Sequence, residues 1–182
     1  TGTLTQNKMT VVDFYMYEAK ELSLADNVGG YEIAATKNNS IQEEVLTLAS
    51  VLCNDSDITS EGIEIGDPTE VALINYAEQN NLNYKKIRER YNRLSELPFD
   101  SDRKLMSTIN KIDDEVTMFV KGAPDVVFSR CKYVLDDGEL VPITQEIIDE
   151  YKKSNEEFSN KALRVLAFAT KNIDDENFVP SI

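Results

Sequence analysis

The sequence predicts an α+β fold in which an antiparallel sheet of about six strands carries helices on its faces. Two neighbouring stretches, Leu105 to Asn110 and Glu115 to Lys121, alternate apolar and polar residues as half-buried strands do. The polar turn between them, Lys111 to Asp114, favours an antiparallel hairpin. Elsewhere apolar residues recur at helical spacing, as they do after Ile41. A chain of 182 residues can form one domain with a sizeable core.

The first part of the chain is predicted to contain a strand, a loop and two capped helices. Met9 to Tyr17 is rich in Val, Phe and Tyr and predicts a strand, whereas Ala19 to Asn39 has no clear period and predicts a loop. A capping box predicts a helix over Ser40 to Asn54. Asp67 should cap the next helix, with Pro68 at its first position.

The second part should add three helices and a buried strand. Short helices are predicted over Leu82 to Asn92 and from Pro124 to near Cys131, and a long polar helix is predicted from Thr144 to about Asn160. Leu163 to Ala169 is nearly all apolar, which is typical of a central strand. Arg164 interrupts that run, so its guanidinium should either reach the rim of the sheet or have an anionic partner.

Composition narrows the classes of function. The net charge of −14 argues against binding to nucleic acid or to anionic membrane surfaces. Histidine is absent, which excludes a Ser–His triad, and Cys53 and Cys131 show no metal-site spacing, so no metal site is predicted. No apolar run approaches membrane-spanning length and nothing resembles a signal peptide, so we expect a soluble, cytosolic chain.

A candidate anion-binding site lies at one end of the predicted hairpin. Lys104 precedes the first strand and Lys121 ends the second, so antiparallel pairing places both ammonium groups at one rim of the sheet. Gly122 would let a ligand approach the backbone, and Pro124 would open a helix whose free N–H groups favour an anion. Phe99 would add a flat apolar ring beside the lysines. This combination suits a base that carries phosphates.

The residues alone leave another interpretation open. Phe99 could be a core residue, and a lysine at the end of a strand is usually solvated. Neither a Walker loop nor a G-x-G-x-x-G motif occurs in the sequence. The corresponding function is an acidic structural or protein-interaction module without nucleotide binding.

Four stretches resemble the signatures of the nucleotide-binding domain of P-type cation-transporting ATPases. In the order of the family they are Gly66–Glu70, Phe99–Ser107, Lys121–Pro124 and Ala162–Ala167. Thr1–Thr5 resembles the residues that in the family follow the phosphorylated aspartate, which would lie just upstream of this sequence. The resemblance thus divides the chain into a remnant of the phosphorylation-domain motif (1–5), a nucleotide-binding domain (6–173) and a linker back toward the phosphorylation domain (174–182).

The resemblance also implies a function. The domain would bind ATP and deliver its γ-phosphate to an aspartate on the adjacent phosphorylation domain, which would also hold most of the Mg²⁺. The chain would then carry no catalytic residue of its own and would be inactive alone. Its partners would be ATP and the phosphorylation domain, actuator domain and transmembrane helices of the same polypeptide, in the plasma membrane. The form of Gly66–Glu70 most resembles bacterial and secretory-pathway calcium pumps.

Individual residues receive roles from the same resemblance. Phe99 would stack on adenine, and Glu70 would contact the adenine amino group. Lys121 would line the pocket for adenine and phosphate, while Lys104 and Arg164 would supply positive charge toward the phosphates. The remaining candidates for ATP binding are Ser101, Met106, Gly122 and Ala123.

Three residues of these motifs keep an open question. Glu70 equally fits the return half of a capping box with Asp67. Arg103 should be structural, paired with Asp100 or Asp102, with a phosphate contact as the alternative. Ser101 departs from some calcium pumps of animal membranes, which have arginine there, so one phosphate contact is expected to be missing.

Overall fold

The computed structural model of the chain describes residues 8–17, 41–174 and 178. Five helices occur in these residues: α1 Ile41–Leu52, α2 Pro68–Gln79, α3 Tyr84–Arg90, α4 Pro124–Phe128 and α5 Gln145–Asn160. Eight strands occur in them: β1 Asp57–Ile58, β2 Glu64–Ile65, β3 Arg93–Asp100, β4 Leu105–Ile112, β5 Glu115–Gly122, β6 Tyr133–Asp136, β7 Glu139–Pro142 and β8 Ala167–Ile173. The α+β class is therefore confirmed. The predicted cap at Ser40, the predicted loop over 19–39 and the motif at 1–5 lie outside the described residues.

The main sheet contains four antiparallel strands in the order β3-β4-β5-β8. The predicted hairpin is confirmed as β4 and β5, which turn at Asp113 and Asp114. Its register pairs Leu105 with Gly122 and Met106 with Lys121. Because Asp100 also pairs with Leu105, the end of β3, the start of β4 and the end of β5 meet at one end of the sheet.

The main sheet has fewer strands than the expected number of about six. Among the described residues, β1 with β2 and β6 with β7 form separate two-stranded sheets. The expected strand over Met9 to Tyr17 is wrong, because these residues have no regular structure. Their aromatic side chains pack on helices instead: the ring centroids of Phe14 and Tyr76 are 6.3 Å apart, and those of Tyr15 and Tyr151 are 5.2 Å apart. A segment rich in Val, Phe and Tyr is expected to be buried on one side, but it does not have to be a strand.

The central strand expected at Leu163 to Ala169 is also wrong in its position. The strand begins at Ala167 and lies at the edge of the sheet beside β5. Its apolar residues face both ways, because Ala167 and Ala169 pack with α4 while Phe168 packs against the cluster around α1. Burial on both faces explains an apolar run that would otherwise indicate a central strand.

The core contains an apolar cluster on each face of the main sheet and a further cluster between the helices. One layer joins α1 to β4 and β5 through Leu48, Leu52, Cys53, Met106 and Phe119. A second cluster joins α1 to α2 and α3 through Val51, Ile74, Ala77 and Tyr84. Because α1 packs on both the sheet and α2, the first turn of α2 lies close to the end of the sheet that carries Lys121.

Candidate nucleotide-binding site

Two of the predicted site residues form a buried ion pair. Lys121 lies near the end of β5 and is 5% exposed. Its Nζ contacts Oε1 of Glu70, which lies at the third position of α2. A carboxylate is favoured in the first turn of a helix, because the free N–H groups there carry partial positive charge. The structure therefore joins the Gly66–Glu70 and Lys121–Pro124 motifs by a direct contact.

The remaining contacts of Glu70 fix its carboxylate and its backbone. The N–H of Asp55 donates to Oε2 of Glu70 at 3.0 Å, and Nδ2 of Asn54 donates to the backbone oxygen of Glu70 at 2.9 Å. The capping-box interpretation of Glu70 is wrong, because its carboxylate accepts from Asp55 and Lys121. Asp67 caps α2 as predicted, since its Oδ1 accepts from the N–H of Thr69 at 2.8 Å.

Arg164 is exposed and acts electrostatically on the start of α2. Burial favours a raised pKa for Asp67, but hydrogen bonds from Thr69 and Glu70 and the charge of Arg164 together lower its pKa below the ordinary value. The last motif is thus brought near Gly66–Glu70. The exposure of Arg164 agrees with the expectation that its guanidinium reaches the rim, and its charge acts on Asp67 from there.

Phe99 and Lys104 are both exposed at the turn between β3 and β4. The ring of Phe99 is 63% exposed, so the core alternative for this residue is wrong. Lys104 and Ser101 are exposed too. Asp100 organises the turn, because its Oδ1 accepts the N–H groups of Asp102 and Arg103 while its backbone oxygen accepts from Lys104 at 2.7 Å. The turn therefore holds an aromatic ring and an ammonium group at one rim.

Arg103 has a structural role with other partners than predicted. Its Nη1 donates to Oγ of Ser107 at 3.2 Å, and its Nη2 donates to the backbone oxygen of Leu105 at 2.9 Å. Burial is the main cause that lowers the pKa of this guanidinium. The predicted side-chain pairing with Asp100 or Asp102 is therefore wrong. The guanidinium instead donates to two residues of β4, the strand that follows the exposed turn.

Three other candidates are enclosed by packing. A Cβ at Gly122 would lie 2.2 Å from the backbone oxygen of Lys104, so this glycine is required where β5 meets the start of β4. The N–H of Ala123 donates to the same oxygen at 3.2 Å. Met106 is 1% exposed and belongs to the core. Pro124 opens α4 as predicted, but that helix has five residues.

Sequence reasoning missed the segment that supports Glu70. Residues 54–66 contain four acidic residues and no clear period, which is typical of an exposed loop, yet Asn54 and Ser56 are 1% and 0% exposed. Asp55 contacts Arg93 in β3, with 2.6 Å between Oδ1 and Nη1. The signal was an Asn two residues beyond the end of an apolar helix, a position where a polar side chain often binds free helix carbonyls.

The candidate site is an open rim. Phe99, Lys104 and Lys121 line neither the cavity of about 220 Å³ beside Met9 and Tyr76 nor that of about 250 Å³ beside Arg88 and Arg93. Within the described residues, no three Cys, Asp or Glu side chains are arranged to hold a metal ion. No helix in the same residues has the length and apolar character needed to cross a membrane.

The chain is similar to known proteins over most of its length. Residues 43–181 match the family model for the P-type ATPase, cytoplasmic domain N. The chain is 52% identical over 171 residues to a calcium-transporting ATPase of Listeria monocytogenes, covering 94% of the chain and 18% of that relative. It is 47% identical over 175 residues to a calcium-transporting ATPase of Lactococcus lactis (96% and 19%) and 37% identical over 177 residues to one of Bacillus cereus (97% and 19%). The chain thus spans less than a fifth of the length of these relatives.

Proposed function

This chain belongs to the P-type ATPases as their cytoplasmic domain N, and from that premise we propose that it binds ATP and presents the γ-phosphate to an aspartate on an adjacent phosphorylation domain. The observation that carries the proposal is the exposed ring of Phe99, 63% exposed at the rim that also bears Lys104. An exposed aromatic ring beside an ammonium group provides a stacking surface for a base and a charge for its phosphates.

The two halves of the ligand have different partners in this proposal. Phe99 stacks on adenine, and the Glu70 carboxylate accepts from the adenine amino group. Lys121 lines the pocket between base and phosphates, with Lys104 and Arg164 nearer the phosphates. Ser101, Met106, Gly122 and Ala123 belong to the same proposed site, the last three chiefly by shaping the backbone around it.

Net charge opposes tight binding by the isolated chain. The sequence carries a formal charge of −14 and ATP is a polyanion, so the attraction must come from a few local cations. Lys121, moreover, is already paired with Glu70. We expect a Kd on the order of 0.1–1 mM, or about −4 to −5.5 kcal/mol, with only a slight preference for ATP over ADP.

The rest of the polypeptide would complete the reaction. Mg²⁺ would arrive with ATP and be held mainly by the phosphorylation domain, whose aspartate is the acceptor. The actuator domain and the transmembrane helices of the same chain would be the other partners, in the plasma membrane. Calcium is proposed as the transported cation, because the relatives at 52% and 47% identity are calcium-transporting ATPases. The division into residues 1–5, 6–173 and 174–182 belongs to the same proposal.

The experiment is a titration of the ¹⁵N-labelled chain with ATP, followed by amide shifts and calorimetry. Shifts concentrated around Phe99, Lys104 and Lys121, with a Kd on the order of 0.1–1 mM, are expected. In the same sample, γ-labelled ATP should leave no phosphate on the protein. A spectrum that stays unchanged at 10 mM ATP, about ten times the weakest expected Kd, would favour the acidic structural or protein-interaction module instead.

A further inference from the structure

We propose that Asn54 is a positioning residue that orients the Glu70 carboxylate and thereby gives the site its preference for a purine with an amino group at position 6. This inference rests on the proposed function, because it specifies how the same site recognises its base. The presence of an Asn and a Glu in the sequence does not indicate this role, whereas the contacts of Asn54 in the structure do.

Asn54 joins three segments of the chain from a fully enclosed position. It is 1% exposed and lies two residues after the last residue of α1. Its Nδ2 donates to the backbone oxygen of Ser50 at 3.1 Å and to that of Glu70 at 2.9 Å. Its Oδ1 accepts from the N–H of Ser56 at 2.9 Å and from the Ser56 hydroxyl at 2.6 Å. Both donors and both acceptor positions of the amide are therefore used.

The backbone around Asn54 is held as firmly as its side chain. Its carbonyl oxygen accepts from Nη2 of Arg88 at 3.0 Å and from Nη2 of Arg93 at 2.8 Å. A Cβ at Gly66 would lie 2.8 Å from Cβ of Ser56, so the start of α2 packs directly on this turn. The turn and the first residues of α2 thus form one unit.

That unit determines where the Glu70 carboxylate points. Asn54 fixes the backbone oxygen of Glu70, and the next residue, Asp55, donates its N–H to Oε2 at 3.0 Å. Lys121 takes Oε1. With one oxygen assigned to each partner, rotation of the carboxylate would break two hydrogen bonds, one of which involves a charge on both sides.

A carboxylate in a fixed orientation distinguishes purine bases by whether the group at position 6 donates or accepts a hydrogen bond. An ionised carboxylate only accepts hydrogen bonds, and the 6-amino group of adenine donates. Hypoxanthine carries an oxygen at the same position, which presents an acceptor to an acceptor. The chain should therefore bind ATP more tightly than inosine triphosphate, and the difference should depend on Asn54.

The test compares Asn54→Ala with Asn80→Ala. Asn80 is a matched control, because its Nδ2 donates to a backbone oxygen at the other end of α2, that of Tyr76, at 2.8 Å. Affinities for ATP and for inosine triphosphate are measured by NMR titration on variants whose folding is confirmed by urea unfolding. Asn54→Ala should lower the ratio of the two affinities by about three- to tenfold, the effect of one net hydrogen bond, and Asn80→Ala should leave it unchanged. An unchanged ratio in folded Asn54→Ala would overturn the inference.

A second measurement needs no variant and stays decisive if Asn54→Ala does not fold. In the wild-type chain, saturation with ATP should shift the Asp55 amide and the Asn54 side-chain amide, and inosine triphosphate should shift them less. Equal shifts with both nucleotides, or none with ATP, would overturn the positioning role while leaving ATP binding itself intact. Absence of binding by either nucleotide would refute the proposed function, and this inference with it.

Discussion

Replacing Phe99 by alanine separates the role of a stacking surface from that of a core residue. Complete burial of a phenylalanine contributes about 1.5–3 kcal/mol. The ring is 63% exposed, so the free energy of unfolding should fall by only about 0.5–1 kcal/mol. Stacking of a base on an aromatic ring contributes about 1–3 kcal/mol, so the affinity for ATP should fall by about 5- to 150-fold.

Two control variants bracket the effect of Phe99→Ala. Phe119 is 1% exposed in the core, so Phe119→Ala should cost about 3–5 kcal/mol of unfolding free energy. Leu94 is 43% exposed on the same strand as Phe99, so Leu94→Ala should change neither stability nor affinity by much. Urea unfolding and an NMR titration with ATP are performed on the same sample of each variant.

The two measurements on Phe99→Ala must diverge if the ring is a stacking surface. A small loss of stability with a large loss of affinity is the expected pair of results. A stability loss as large as that of Phe119→Ala, with ATP binding intact in the folded molecules, would refute the role of Phe99 as the surface on which the site is built.

Three further predictions concern two buried groups, Lys121 and Cys53. Lys121→Ala should weaken ATP binding and also cost about 3–5 kcal/mol of unfolding free energy, because it leaves the Glu70 carboxylate enclosed without its partner. The control is Lys171→Ala, which removes an exposed lysine of β8. Equal urea midpoints for the two variants would contradict a stabilising ion pair. Burial raises the pKa of Cys53 to about 11, against the opposing charge of Lys121, so iodoacetamide at pH 8 should modify Cys53 in urea and not in the folded chain. Because the folded pKa lies above the ordinary value of 9.0, the contribution of Cys53 to stability is complete below pH 9 and is lost as the pH rises toward 11. Cys53→Ala should therefore reduce the loss of stability between pH 8 and 10.5, and an unchanged slope would contradict this.

Local sequence signals predicted those elements that the sequence marks with a clear turn, cap or periodic pattern. The antiparallel pairing and the polar turn of the β4–β5 hairpin are confirmed. The half-buried character inferred from alternation is wrong for β4, because its first six residues are all buried and it is covered on both faces. β3 was missed because it carries Pro98 and alternates between half-buried and exposed residues. Proline is tolerated on edge strands, where an N–H can face solvent, and β3 is an edge strand. Pro98 and the neighbouring charged residues are therefore the reason why the sequence did not indicate β3.

Pairing across the chain was beyond local reasoning. The sequence marked Glu70 and Lys121 individually, but their contact joins residues 51 positions apart and depends on α1 packing between α2 and the sheet. Asn54 was overlooked for the same reason, since its partners at Ser50, Ser56 and Glu70 lie on three segments. Motif resemblance indicated candidate residues, and tertiary packing determines which of them are in contact.

The buried pair of Lys121 and Glu70 also bears on how a chain with a charge of −14 can bind a polyanion. An ammonium group enclosed without a counter-ion would cost several kcal/mol, so Lys121 needs a carboxylate while the site is empty. Lys104 and Arg164 carry their charge at the exposed surface, where solvent screens it. In the proposed site, nucleotide binding would therefore gain most of its free energy from the ring of Phe99 and from hydrogen bonds to the base, and the cations would direct the phosphates. Affinity should consequently depend more on the base than on ionic strength, and an ATP titration repeated at low and high salt distinguishes the two contributions.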